Sequence, residues 1–140
     1  LDLLSQLEVL SLLERVRKET SSSLVLVSHD LNVVRRIADR VIIMYGGRIV
    51  EEGPADGIFN DPKHPYTQGL LASAGQHREG GRLYELPGQP PDLAALPDGC
   101  AFRPRCALAF DRCHAMPPLY PVAPGHAGRC FLLDRGNAHG

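Results

Sequence analysis

The stretch Leu24-Val25-Leu26-Val27-Ser28-His29-Asp30-Leu31 decides how this chain is read. Its four consecutive apolar residues, two of them β-branched, predict a short strand buried on both faces, as in a parallel sheet covered by helices. Ser28-His29-Asp30 closes the strand, and Asp30 can cap a helix running from about Leu31 to Ala38. His29 then stands at the C-terminal mouth of a strand, the edge at which open α/β sheets bind ligands. There an imidazole can donate a hydrogen bond to a phosphate while the scaffold holds its other nitrogen. On these residues alone, a histidine that merely closes a loop is the plain alternative.

Upstream, Leu3, Leu4, Leu7, Leu10, Leu13 and Val16 recur at three- and four-residue steps and predict a helix over Leu3–Arg17. Downstream, Arg40–Tyr45 and Arg48–Glu52 flank Gly46-Gly47, which can supply the positive φ angles of a tight hairpin turn. Pro54 suits the first turn of a short helix reaching Phe59. His64-Pro65-Tyr66 opens another to about Ser73, and by itself reads as a turn with an aromatic ring packed behind it. Ala74–Glu85 is polar and Gly-rich and reads as a linker. Leu86–Pro97 carries four prolines and must be extended or turning, a rigid spacer.

The 140 residues contain four cysteines, all in the last third: Cys100, Cys106, Cys113 and Cys130, separated by five, six and sixteen residues. Thiols gathered beside Pro-rich turns hold a metal or an iron–sulfur cluster, or pair as disulfides, according to compartment. The formal net charge of −1 provides no overall basic field for nucleic acid. No apolar run approaches a membrane span. No signal peptide is visible, and a first residue of Leu1 rather than Met reads as the C-terminal piece of a longer protein.

The segment Leu24–Leu31, then Ala38-Asp39-Arg40-Val41 and Met44-Tyr45-Gly46-Gly47-Arg48-Ile49-Val50-Glu51-Glu52-Gly53, resembles the end of an ABC-transporter ATPase domain. Asp61-Pro62-Lys63-His64-Pro65-Tyr66-Thr67 and Gly99-Cys100-Ala101-Phe102-Arg103-Pro104-Arg105-Cys106 narrow this. They look like the C-terminal extension of the ATP-binding subunits of oligopeptide and dipeptide importers. The resemblance runs from Leu1 to about Leu133.

It implies an α/β fold: the C-terminal part of an ABC-type P-loop ATPase domain, incomplete, followed by a small irregular Cys-rich extension. The parts would be 1–60 (ATPase), 61–85 (His-Pro-Tyr helix and linker), 86–135 (extension) and 136–140 (tail). It implies that His29 is the switch histidine that contacts the γ-phosphate and helps position water, since phosphoryl transfer rests on positioning and charge stabilisation. Leu1-Asp2 would be the tail of the D-loop, making Asp2 a nucleotide-side residue; an N-cap of the first helix is the plain alternative. ATP and Mg²⁺ would be the cofactors. The partners would be a second ATP-binding subunit and transmembrane permease subunits, with the protein peripheral at the cytoplasmic face of the membrane and no nucleic acid involved.

This sequence has no G-x-x-x-x-G-K-S/T, no Ser-Gly-Gly signature and no strand ending in paired acidic residues that could hold Mg²⁺ and orient water. The family places these upstream, so the chain by itself is expected neither to bind nor to hydrolyse ATP. A cytoplasmic setting argues against disulfides. The absence of close C-x-x-C pairs argues against a zinc knuckle, and the resemblance implies a 4Fe-4S cluster on Cys100, Cys106, Cys113 and Cys130, with zinc as the alternative. Arg103, Arg105, Arg112 and Arg129 could offset thiolate charge; His114 and His126 are not needed as ligands. A different class of function remains open, a non-catalytic four-cysteine iron–sulfur or zinc module with a structural or redox-sensing role. So does a partial gene product with no function of its own.

Overall fold

The computed structural model describes residues 2–75, 78–79 and 82–137. These fall into two compact units, Leu1–Ala38 and Asp39–Gly140.

In the first unit, helix α1 (Leu3–Thr20) starts where the Asp2 carboxylate accepts the Ser5 N–H at 2.8 Å, satisfying a backbone donor that the helix itself leaves unpaired. It ends at Ser21, which adopts a left-handed conformation. Helix α2 (Leu31–Ile37) begins at Asp30, whose carboxylate accepts from Asn32 N–H at 3.0 Å and Val33 N–H at 3.4 Å. Both caps are the residues that the sequence marks.

The segment between the helices departs from the expectation of a buried parallel strand. Leu24–Val27 pairs with no strand among the described residues. Exposure alternates along it, 42% at Leu24, 90% at Val25, 38% at Leu26 and 94% at Val27. The side chains thus keep the two-residue period of a strand, but a strand is completed only by hydrogen bonds to a neighbouring backbone. Leu3, Leu4, Leu12 and Val16 of α1 are exposed as well, so the apolar faces of this unit are presented rather than buried.

In the second unit, β1 (Arg40–Tyr45) and β2 (Arg48–Pro54) form the expected hairpin. Gly46 and Gly47 take φ of 59° and 77°, and a turn with two positive φ angles matches the twist of the strands it joins. The register shifts between Ile43 and Met44, which face Glu51 and Ile49, leaving Val50 as an extra residue on β2. Val41, Ile43 and Tyr45 point inward with Val50 and Glu51. Helix α3 (Ala55–Asn60) follows and sinks Ile58 completely. Helix α4 (Pro65–Ala74) has its proline at the first position, where no N–H is needed.

The stretch read as a linker contains a two-residue ladder, β3 (Arg78–Glu79) with β4 (Arg82–Leu83); residues 76–77 and 80–81 of it lie outside the described residues. Leu86–Pro97 holds no helix or strand. The Cys-bearing region is built from short 3-10 turns, Arg103–Arg105, Asp111–His114 and Phe131–Leu133, and two strands, β5 (Tyr120–Ala123) and β6 (His126–Gly128). β6 pairs antiparallel with β2, so the sheet runs β1-β2-β6-β5. The pairing within this sheet is antiparallel throughout, as the hairpin reading of β1 and β2 requires. Of the expected tail, residues 138–140 lie outside the described residues, and Arg135–Asn137 form a further 3-10 turn.

The contrast between Ile58 and Val25 has a measurable consequence. Ile58→Ala leaves a cavity in a fully enclosed site and is expected to lower stability by about 2–4 kcal/mol. Val25→Ala changes an exposed side chain and is expected to stay within about 0.5 kcal/mol of the parent. Urea titrations of the 140-residue chain check both; a large loss at Val25 would mean that Leu24–Val27 is covered.

Candidate functional site

Three groups of side chains carry possible chemistry. The first is His29. It is exposed, directly before the Asp30 cap of α2, and Ser28 Oγ accepts the Asp30 N–H at 3.0 Å. The turn is thus held by its neighbours while the imidazole stays free of the apolar run. Asp2 is also exposed, and its carboxylate is engaged with Ser5 N–H, which holds it below the usual carboxylate range. Leu1 lies outside the described residues.

The second group was not read from the sequence. Glu51 on β2 has 0% exposure, and both its oxygens are used. Oε1 accepts Lys63 N–H at 2.7 Å and lies 2.7 Å from His126 Nε2; Oε2 accepts His64 N–H at 2.9 Å. A carboxylate taken out of water needs partners of this kind. His126 reaches it from β6 by lying flat against two glycines. A Cβ on Gly53 would come within 2.9 Å of His126 Cγ, and one on Gly57 within 2.9 Å of Nδ1. His64 is buried beside it, and its Nδ1 accepts Tyr66 N–H at 3.0 Å, capping α4. Its Nε2 and the Thr67 hydroxyl are buried and find no hydrogen-bond partner among the described residues. The His-Pro-Tyr segment therefore acts as the cap and anchor of a helix, and His126 serves Glu51 rather than the thiols. Tyr66 packs on Tyr45 and Phe102, with ring centroids at 4.6 and 5.4 Å.

The third group is the cysteine quartet. All four are free thiols, Cys113 and Cys130 buried, Cys100 and Cys106 half-exposed. Each of the six possible pairs is close enough for mutual electrostatic repulsion. Segments up to thirty residues apart are thus folded to face one another, and Cys100 N–H donates to Cys113 O at 3.0 Å. Backbone amides are turned toward the sulfurs: Phe102 and Arg103 at Cys100, Leu108 and Ala109 at Cys106, Leu132 at Cys130. Burial nevertheless dominates. It pushes Cys130 up to about 11, and raises Cys100 and Cys106 as well. These three thiols as they stand are protonated, whereas a metal binds thiolate. Among the described residues, no group of three or more His, Cys, Asp or Glu side chains is placed to hold a metal ion, so neither the expected 4Fe-4S cluster on the four cysteines nor its zinc alternative finds a formed site here.

The arginines expected beside the thiols are engaged elsewhere. Arg129 spans Ile49 O at 2.8 Å and Pro117 O at 3.1 Å, and its own N–H donates to Val50 O at 2.7 Å. Arg105 bonds Pro87 O, and Arg112 pairs with Asp134 and stacks on Phe131. Arg103 donates to Asp98 O while its Nε is buried without a partner among the described residues.

In chain order, capped helices flanking an apolar run that ends in Ser-His-Asp, then a two-glycine hairpin, are consistent with the C-terminal region of an ABC-type ATP-binding domain. The particular branch follows from comparison. Residues 50–113 match the family described as oligopeptide/dipeptide transporter, C-terminal region. The chain is 45% identical over 139 residues to a protein of Brucella ovis named for peptide import and ATP binding. It is 40% identical over 132 residues to the oligopeptide transport ATP-binding proteins OppD of Salmonella typhimurium and of Escherichia coli. These alignments cover 94% of the chain but 41% and 39% of the relatives. Over the part it shares, the chain is similar to this family, and it spans about two fifths of the length of the curated relatives it matches.

His64 makes the second unit acid-sensitive. Burial pushes it from 6.5 down to about 4, against the opposing pull of the Glu51 carboxylate. Between those values the unfolded chain binds a proton that the folded chain refuses, so stability is full above pH 6.5 and falls as pH drops toward 4. The expected loss is on the order of 3 kcal/mol. His64→Asn keeps a capping acceptor but does not titrate, so its stability should fall less steeply over the same window. Equal slopes in urea titrations at about pH 7, 5.5 and 4 would assign the sensitivity to another group.

Proposed function

We propose that the chain is the C-terminal part of the ATP-hydrolysing subunit that powers import of oligopeptides or dipeptides. The observation that carries this is the exposed His29 between an apolar strand-like run and an Asp30-capped helix, in a chain whose relatives are named as peptide-import ATP-binding proteins. In this reading His29 donates to the γ-phosphate of ATP and helps orient the attacking water, where charge spreads as the phosphoryl group transfers. Asp2 approaches the partner subunit's side of the nucleotide. Mg²⁺ and the phosphate cradle are supplied by sequence that this chain does not contain. The unpaired, exposed Leu24–Val27 fits a strand whose neighbours belong to the portion of the relatives that the chain does not cover. The partners are a second ATP-binding subunit and membrane permeases, and the protein is peripheral at the cytoplasmic face. Among the described residues no helix is long and apolar enough to cross a membrane.

In a complete subunit carrying this sequence, His29→Ala is expected to lower ATP turnover by about 100-fold while leaving nucleotide affinity within a few-fold. Turnover near the parent value would remove His29 from the chemistry. The 140-residue chain alone is expected to give no ATP-binding heat in calorimetry, with or without Mg²⁺; saturable binding would overturn the division of labour proposed here.

A second reading concerns the quartet. Zinc needs three or four side chains on one ion, whereas a 4Fe-4S cubane takes one thiolate from each cysteine. The mutual facing of all four thiols and the amides turned toward them favour the cubane, with Cys100, Cys106, Cys113 and Cys130 as ligands. Such a cluster would supply a redox centre or a structural cross-link. Protein purified without oxygen should be brown, with iron and acid-labile sulfide in roughly a four-to-four ratio. One zinc per chain and no sulfide would reject the cubane.

A further inference from the structure

Phe102 belongs to two sites at once. Its backbone amide faces the Cys100 sulfur. Its side chain is buried among the rings that define the His-Pro-Tyr anchor: edge-on to Tyr45 with centroids at 5.3 Å, and at 5.4 Å from Tyr66 and 6.0 Å from His64. Tyr45 closes β1, and Tyr66 and His64 open α4. A single residue therefore connects a thiol turn to the hairpin and to the helix cap.

A second connection has the same form. Arg129, the residue before Cys130, grips β2 through Val50 O and Ile49 O. Cys100 and Cys113 are joined directly by their backbones. A change at the sulfurs must alter the amides facing them, because a thiolate, a metal-bound sulfur and an alkylated sulfur accept hydrogen bonds differently. The Phe102 ring has little room to absorb such a shift, because tightly packed rings do not deform continuously.

We propose that the chemical state of the four thiols is transmitted through Phe102 to the β1–β2 hairpin and the start of α4, so that the extension stiffens or loosens the Glu51–His64 anchor. For the loaded state the proposal rests on the cluster reading above; for the alkylated state it does not. Phe102 is a positioning residue in this device and Arg129 a parallel tether.

Amide hydrogen exchange on the full 140-residue chain tests it in three states: reduced free thiols, thiols reconstituted anaerobically with ferrous iron and sulfide, and thiols alkylated with iodoacetamide. Reconstitution is expected to slow exchange in residues 41–53 and 64–71 by about tenfold, and alkylation to speed it by a similar factor. Phe102→Leu keeps an apolar plug but removes the ring contacts; residues 98–113 should still respond to alkylation while residues 41–53 and 64–71 respond less than in the parent. Parent protein in which every change stays within residues 98–132 would overturn the coupling. So would a Phe102→Leu chain that transmits as fully as the parent. If no iron is taken up, the cluster reading fails and the alkylation arm alone decides the coupling.

Discussion

The second unit depends on one buried carboxylate. Glu51 is removed from water, and desolvating a charge of that size costs several kcal/mol unless hydrogen bonds replace the lost hydration. Here the replacement comes from two backbone amides ahead of α4 and one imidazole on β6. The donors belong to segments 12, 13 and 75 residues away in the chain. None of them can leave without exposing the others to an unpaired charge. Hairpin, helix cap and C-terminal strand are therefore held in one arrangement or not at all. Gly53 and Gly57 follow from the same constraint, since only a residue without Cβ leaves room for the His126 ring.

The cysteine turns are mounted on this anchor. Arg129 and Phe102 attach them from opposite ends of the extension, one by hydrogen bonds to β2 carbonyls and one by ring contacts with Tyr45 and Tyr66. That is why 3-10 turns with few apolar residues hold a definite shape. It is also why the thiols can face one another although burial raises the pKa of Cys100, Cys106 and Cys130. The first unit is organised differently: local caps at Asp2 and Asp30 define two helices, while the apolar run between them meets no pairing strand among the described residues.

Much was legible in the sequence because it is decided locally. Helix starts at Asp2, Asp30 and Pro65 rest on side chains or rings acting within three residues. The Gly46-Gly47 turn rests on φ angles that only its own residues supply. The Ser28-His29-Asp30 segment and the His-Pro-Tyr segment pointed to the peptide-import ATP-binding proteins that the chain proves similar to. What only the tertiary structure decided is non-local. A Glu in Val50-Glu51-Glu52 reads as a solvent-facing charge until the bulge at Val50 and the arrival of His126 turn it into the core. Likewise, Leu24–Val27 has the composition of a buried strand, but composition does not provide a neighbour. Periodicity and capping depend on adjacent residues, whereas burial and strand pairing depend on which distant backbone arrives alongside, and that information is carried by the fold.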